Sequence, residues 1–188
     1  MNDYLKDIAI IERIMAGDKT AHRDLVRCHK NFAFTIAYRI LNNRQEAEEV
    51  AQDAFMQAFA ALKDFNKTAK FKTWFYRIVF NAALMAKRRQ KPTESMTESH
   101  VLAFSIEDTP QNLQRQERSN QIQEALAKLS ADDATMITLF YLKEFSLEEM
   151  TEITAISSET IKVKLHRARK RLAETLRLQL GAEVKNLY

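Results

Sequence analysis

The sequence predicts an all-α protein: two small helical domains joined by a flexible linker, the C-terminal one a helix-turn-helix. Three observations predict it. Only two Gly and two Pro occur in 188 residues, far fewer than turn-rich β architectures use. Hydrophobic residues make up 46%, enough for a core, and recur at three- and four-residue steps. One polar stretch, 91–110, holds both prolines and no sustained period, which divides the chain into 1–91, a linker 92–111 and 112–188.

Each element follows from local signals. A first apolar helix ends near Met15, where Gly17-Asp18 breaks it. A long helix then carries Leu25, Cys28, Phe32, Ile36 and Ile40 on one stripe and turns at Asn42-Asn43. The next, about 45–62, sets Val50, Ala54, Phe55, Ala58 and Leu62 on one side. Residues 65–70 read as a loop, and a fourth helix runs from about Phe71 to Arg89, stopping before Pro92. Its expected core face is Phe71, Trp74, Phe75, Ile78, Ala82 and Met85, with Tyr76 and Phe80 nearly opposite. Val101, Leu102, Phe104 and Ile106 give the linker the means to dock on a surface. Further helices are expected at 112–128, 131–143, 146–154 and 157–179.

Charge is unevenly spread. Phe65–Thr93 holds eight Lys/Arg and no acid, Glu46–Asp53 four acids and no base, and Ile161–Leu172 six Lys/Arg with no acid. Basic clusters attract phosphate by counterion release, although either alone reads equally well as a solvated helix face. Cys28 is the only cysteine, which excludes an internal disulfide and fits a reducing compartment. The N-terminus lacks the order of a signal peptide and no apolar run approaches a bilayer span, so a cytoplasmic protein without membrane insertion is expected.

The clearest motif is Ser146–Leu172. Ser146 with Glu149 forms a capping box, Thr154-Ala155-Ile156 makes the turn, and Ser157 caps a second helix. That helix buries Ile161, Leu165, Ala168 and Leu172 and turns Glu159, Val163, His166, Arg167 and Lys170 outward. A basic helix so presented suits the major groove, its first turns on base edges and its flanking cations on phosphates. The competing reading is a basic surface helix in a bundle. Glu159 suits either a cytosine amino group or merely the positive helix end.

Enzyme chemistry finds no support: there is no HExxH or CxxC pair and no glycine loop for phosphate. His22, Cys28 and His29 read as a core edge rather than a metal site, so no metal or cofactor is expected.

The stretch FYLKEFSLEEMTEITAISSETIKVKLHRARKRL, after Leu129, resembles the C-terminal domain of bacterial RNA polymerase sigma factors of the extracytoplasmic-function class. NNRQEAEEVAQDAFMQAF resembles that family's polymerase-binding helix, and FKTWFYRIVFNAALMAKRR the following helix, which recognises the minus-ten promoter element. The resemblance covers nearly the whole chain. It implies a non-catalytic protein that docks on core RNA polymerase, recognises promoter DNA, helps open the duplex, and is held inactive in many members by an anti-sigma factor.

Residue roles follow from it. Glu46, Glu49 and Asp53 share a face, with Glu48 and Gln52 adjacent, and the implied partner is the polymerase clamp helices. By itself that acidic face reads as a solvated one. For the minus-ten element the candidates are Asn66, Lys67, Lys70, Lys72, Tyr76, Asn81 and Arg88. Aromatics among cations suit unstacked bases, the family's 65–70 loop captures a flipped base, and packing is the competing role of Tyr76 and Phe80. For the upstream, minus-thirty-five element, Lys162, Val163, His166 and Arg167 are the base readers, Ser157, Thr160 and Lys164 lie toward phosphates, and Lys170 belongs to the same DNA-binding set. Three departures stand out: Met85 where the family has aspartate beside Arg88, Ala155 in place of the turn glycine, and no arginine in Ser130–Ala134. A stand-alone helix-turn-helix regulator is the alternative, but it leaves the acidic and the Trp-containing helices unexplained. A decoy that binds only polymerase or an inhibitor would not need the second basic helix.

Overall fold

The computed structural model describes residues 3–65, 69–90 and 110–181. Among them are eight α-helices and no strand: α1 (Asp3–Met15), α2 (Lys19–Leu41), α3 (Arg44–Ala60), α4 (Phe71–Arg89), α5 (Pro110–Ala127), α6 (Ala131–Ile137), α7 (Leu147–Thr154) and α8 (Ser158–Leu180). Val101, Leu102, Phe104 and Ile106 lie outside the described residues, as do Asn66 and Lys67. Pro110 opens α5, where its missing N–H costs no helical bond, so the last residues assigned to the linker are helical.

Side chains set the joints. Asp18 caps α2 by accepting the Thr20 N–H at 2.8 Å and receives two Arg13 nitrogens, tying α1 to α2. Asn42 ends α2 in the left-handed region (φ 52°), and Asn43 opens α3 by accepting the Glu46 N–H. A 3₁₀ turn, Leu62–Asp64, leads out of α3.

α4 is the centre of the fold. It packs on α2 and α3 on one side and on α7 on the other. A helix covered on two sides cannot show one apolar face, which corrects the sequence expectation. Tyr76 and Phe80, placed opposite the core, are buried, whereas Met85, placed in it, is 54% exposed. Trp74, Ile78 and Ala82 are only half-buried. The observed core face of α4 is Phe71, Thr73, Phe75, Tyr76, Val79, Phe80 and Ala83.

The main hydrophobic cluster runs through both halves of the chain. Ile11, Leu25, Ile36, Phe71 and Phe75 come from α1, α2 and α4, and Phe145, Met150, Ile153 and Ile161 from around α7 and α8. A smaller cluster of Leu126, Ile137 and Ala168 holds α5, α6 and α8 together. Removing one large apolar side chain of this kind from water contributes about 2–3 kcal/mol, so a cluster of this size outweighs any surface ion pair here.

The helix expected over 131–143 is α only to Ile137. Thr138–Leu142 continue as a widened π turn, followed by Glu144 at φ 51°. Leu139 points into the core while Tyr141 and Leu142 stay about half exposed.

Candidate nucleic-acid interface

The helix-turn-helix is built by its caps. Ser146 accepts the Glu149 N–H at 3.2 Å, and Glu149 Oε2 accepts the Ser146 N–H at 2.9 Å, so two orphan donors of α7 are satisfied reciprocally. Ala155 makes the turn at φ 57° and donates its N–H to Thr151. An alanine thus sits where glycine carries no steric penalty. Ser157 caps α8 by accepting the Thr160 N–H, and the two hydroxyls lie 3.0 Å apart.

α8 buries Ile161, Leu165 and Ala168 against α6 and α7, which fixes its rotation. Lys162, Val163, His166, Arg167 and Lys170 are then exposed together on the outer face, with Ser157 and Thr160 at its start. Val163 is 49% exposed, uncommon for a branched apolar residue and suited to a thymine methyl. Lys164 is half-buried and pairs with Asp132 at 3.0 Å, so this phosphate candidate already has an acidic neighbour. Glu159 has its carboxyl held below the usual range by its own backbone N–H, then by the Ser158 hydroxyl. This favours its role at the positive end of the helix. Arg171 bonds the buried Asp133 and fixes α8 on α6.

On α4, Asn81 and Arg88 are exposed and Lys72 is half-buried. Lys70 stands exposed at the N-terminal end of α4. Tyr76 does not join them, which is a second correction. It is 1% exposed, its hydroxyl lies 2.9 Å from His29 Nδ1, and its ring packs edge-on to Phe32. The sequence cannot show that partner, because His29 lies 47 residues away on α2.

The two basic regions meet through α7. Glu149 Oε1 receives Lys70 Nζ at 2.9 Å and lies 3.5 Å from the Thr73 hydroxyl. Burial pushes the Glu149 carboxyl up, but the Ser146 N–H, the Lys70 bond and the charges of Lys72 and Lys70 outweigh it, and its pKa lies below the usual value. Phe145, 1% exposed, packs on Phe32 and Tyr76, and the Lys72 ammonium sits 4.6 Å from its ring centre. Lys143 lies likewise over Phe32, 5.3 Å from the ring centre, and Arg39 of α2 bonds Gln123 of α5. Burial pushes the Arg39 pKa down to about 10.

α3 presents Glu48, Glu49, Gln52 and Asp53 to solvent. Glu46 is half-buried and accepts from the Gln90 amide at 2.6 Å, anchoring α3 to the end of α4. Met56, 69% exposed, continues this face. Sequence reasoning passed over it, although its place four residues after Gln52 and three after Asp53 is a usable signal.

Comparison with known proteins agrees with this geometry. The family model described as Sigma-70 region 2 matches residues 25–93, and the one described as Sigma-70, region 4 matches 119–172. An ECF RNA polymerase sigma factor of Bacillus subtilis, SigW, is 36% identical over 180 residues, covering 89% of this chain and 95% of that relative. The ECF RNA polymerase sigma-E factor of Haemophilus influenzae is 30% identical, covering 90% and 94%. Among solved structures, CnrH in complex with the cytosolic domain of CnrY has a TM-score of 0.63 at 21% identity, covering 92% of this chain and 97% of that one. The sigma factor RpoE in complex with the anti-sigma factor NepR from Bartonella quintana has a TM-score of 0.64 at 24% identity, covering 82% and 96%. Matches of this extent, in both halves and in this order, show that the chain belongs to the ECF RNA polymerase sigma factors.

Proposed function

We propose a division of roles within this sigma factor, which binds core RNA polymerase and directs promoter-specific initiation. The outer face of α8, with Lys162, Val163, His166 and Arg167 over base edges and Ser157, Thr160, Lys164 and Lys170 toward phosphates, reads the minus-thirty-five element. Lys70, Lys72, Asn81 and Arg88 of the second basic region, with Asn66 and Lys67 of the preceding loop, serve the minus-ten element. Glu48, Glu49, Gln52 and Asp53, with Glu46 at the edge, form the polymerase contact of α3, to which Met56 adds an apolar centre. The minus-ten and polymerase functions belong to 1–91, the upstream element to 112–188, and 92–111 joins them. The protein works in the cytoplasm and catalyses no reaction of its own; among the described residues no helix is long and apolar enough to cross a membrane.

The observation that carries this reading is the acid-free outer face of α8 between Ile161 and Leu172, held outward by a capped hairpin while Ile161, Leu165 and Ala168 are buried on the other side. An anti-sigma factor is its proposed regulator. The complexes with CnrY and NepR support this, as does an apolar groove of about 820 Å³ lined by Ile122, Tyr141, Leu142, Leu172 and Leu176.

Run-off transcription with core polymerase and fragments of the source genome tests the assignment. Defined start sites that depend on this chain are expected. Sequence-specific DNA binding without any polymerase-dependent start would instead support a stand-alone helix-turn-helix regulator.

A further inference from the structure

One buried charge among the described residues has no counter-charge. Arg39, in the last turn of α2, is 6% exposed. Its Nη2 donates to the amide oxygen of Gln123 on α5, which satisfies a hydrogen bond but returns no charge. Its Nε has no hydrogen-bond partner within the protein. No described carboxylate bears on it: burial holds its pKa down to about 10, and only the Tyr38 phenol acts the other way. The buried Asp133, by contrast, has Arg171. A guanidinium taken out of water without a partner is costly.

Arg39 lines a cavity of about 210 Å³ among α2, α4, α5 and α6, far larger than the ~10–15 Å³ that one water requires. Lys87 of α4 and Asn42 bring further donors to it, Leu41, Leu126 and Ala134 give it apolar walls, and no described acidic side chain lines it. The end of α2 also brings carbonyl oxygens, of which that of Tyr38 is already taken by the Asn42 N–H at 2.8 Å. In an acid-free, partly apolar recess fixed donors meet little competition from water, and a planar guanidinium matches the geometry of an oxyanion. We propose that this recess binds a phosphate-type oxyanion, held by the Arg39 guanidinium from within and by the exposed Lys87 ammonium at the rim. One oxygen accepts the Arg39 Nε–H and another meets Lys87, with the Asn42 amide as a third donor. The ion supplies the counter-charge that Gln123 lacks. It stabilises the folded chain increasingly as its concentration rises.

The full chain is titrated calorimetrically with sodium phosphate, with sodium chloride adjusted to hold the ionic strength constant. One saturable site is expected, and the thermal unfolding midpoint rises with phosphate but not with chloride. Arg39→Met, which keeps the length of the apolar stem and loses the charge, abolishes the saturable binding. Lys87→Ala, at an exposed position, weakens it about two- to five-fold. Lys87→Ala keeps the test valid if Arg39→Met does not fold, which circular dichroism reports. Absence of a saturable site, or unchanged affinity in either variant, overturns the proposal.

The basic outer face of α8 is the competing seat for phosphate. If Lys162→Ala and Arg167→Ala remove the binding while Arg39→Met retains it, phosphate is an adventitious ion only on that face, and the proposed site falls. Glycerol 3-phosphate, titrated in parallel, separates the two sources of the group. Tighter binding than inorganic phosphate assigns the recess to organic phosphates, and weaker binding assigns it to the free ion.

Discussion

His29 Nε2 lies 2.9 Å from Asp7 Oδ1 in the interior of the N-terminal half, while the opposite ring nitrogen meets the Tyr76 hydroxyl at the same distance. Both ring nitrogens are thus engaged within a three-helix contact of α1, α2 and α4. Truncating one partner strands a buried polar atom. Asp7→Ala and His29→Ala are each expected to cost about 2–3 kcal/mol, seen as a lower midpoint in urea unfolding. Asp7→Asn, which keeps an acceptor, should cost clearly less. An Asp7→Ala midpoint equal to wild type would show that the contact adds nothing.

Ala155 holds the turn of the helix-turn-helix at φ 57°. Glycine takes that conformation without a Cβ penalty, so Ala155→Gly should stabilise the chain by about 0.5–1 kcal/mol. The gain is expected in thermal unfolding with no change in upstream-element affinity, since Ala155 lies in the connection rather than on the outer face of α8. A lower melting temperature would refute the assignment of strain.

Asp18 is held at a pKa of about 2, against 3.8, by the Thr20 hydroxyl first, then by Arg13 and the Thr20 N–H. The folded chain therefore takes up this proton later than the unfolded chain. The stabilisation is complete above pH 3.8 and is lost as pH falls toward about 2. Asp18→Asn, which can still cap α2, should flatten that part of the acid-unfolding profile. An identical profile in the variant counts against the Arg13–Asp18 joint.

Glu49 and Asp53 are exposed on α3, away from both basic helices in the sequence. Reversing both to lysine is expected to weaken association with core polymerase by at least ten-fold, an effect of roughly 1.4 kcal/mol or more. Binding of the isolated chain to upstream-element DNA should not fall. Loss of both activities together would mean that the substitutions act through folding.

The roles proposed for Arg167 and Lys170 separate reading from holding. Arg167→Ala should cost about 1–3 kcal/mol on the cognate upstream element and relax its sequence preference. Lys170→Ala should weaken all sequences alike and reduce the salt slope by about one. Band-shift titrations at several salt concentrations distinguish the two. A reversed pattern would exchange the roles.

Much of this was legible in the chain. Asn42-Asn43, Gly17-Asp18 and the Ser146–Glu149 box mark helix ends through local chemistry that a few neighbouring residues decide, and they act as expected. The outer face of α8 was equally readable, because one side of that helix is dry and the other wet. α4 was not, since periodicity identifies a single buried stripe and α4 is covered by α2 and α3 on one side and α7 on the other. Tyr76 and Met85 were consequently placed on the wrong faces. Contacts such as Lys70–Glu149 join residues dozens of positions apart, and neither residue carries a mark of its partner.

The widened turn at Thr138–Leu142 acts as a rotational offset. One extra residue is taken into the helix without an extra α turn, and everything after it is rotated by about 100° relative to a regular continuation. Leu139 stays inward, while Tyr141 and Leu142 swing out to line the groove beside α8. Deleting one residue there would let a regular helix form and carry those two side chains around the axis. The wall that Tyr141 and Leu142 give the groove would then be lost. Because His166 and Lys170 line the same groove, anything seated against Tyr141 and Leu142 would also touch two side chains of the proposed DNA face.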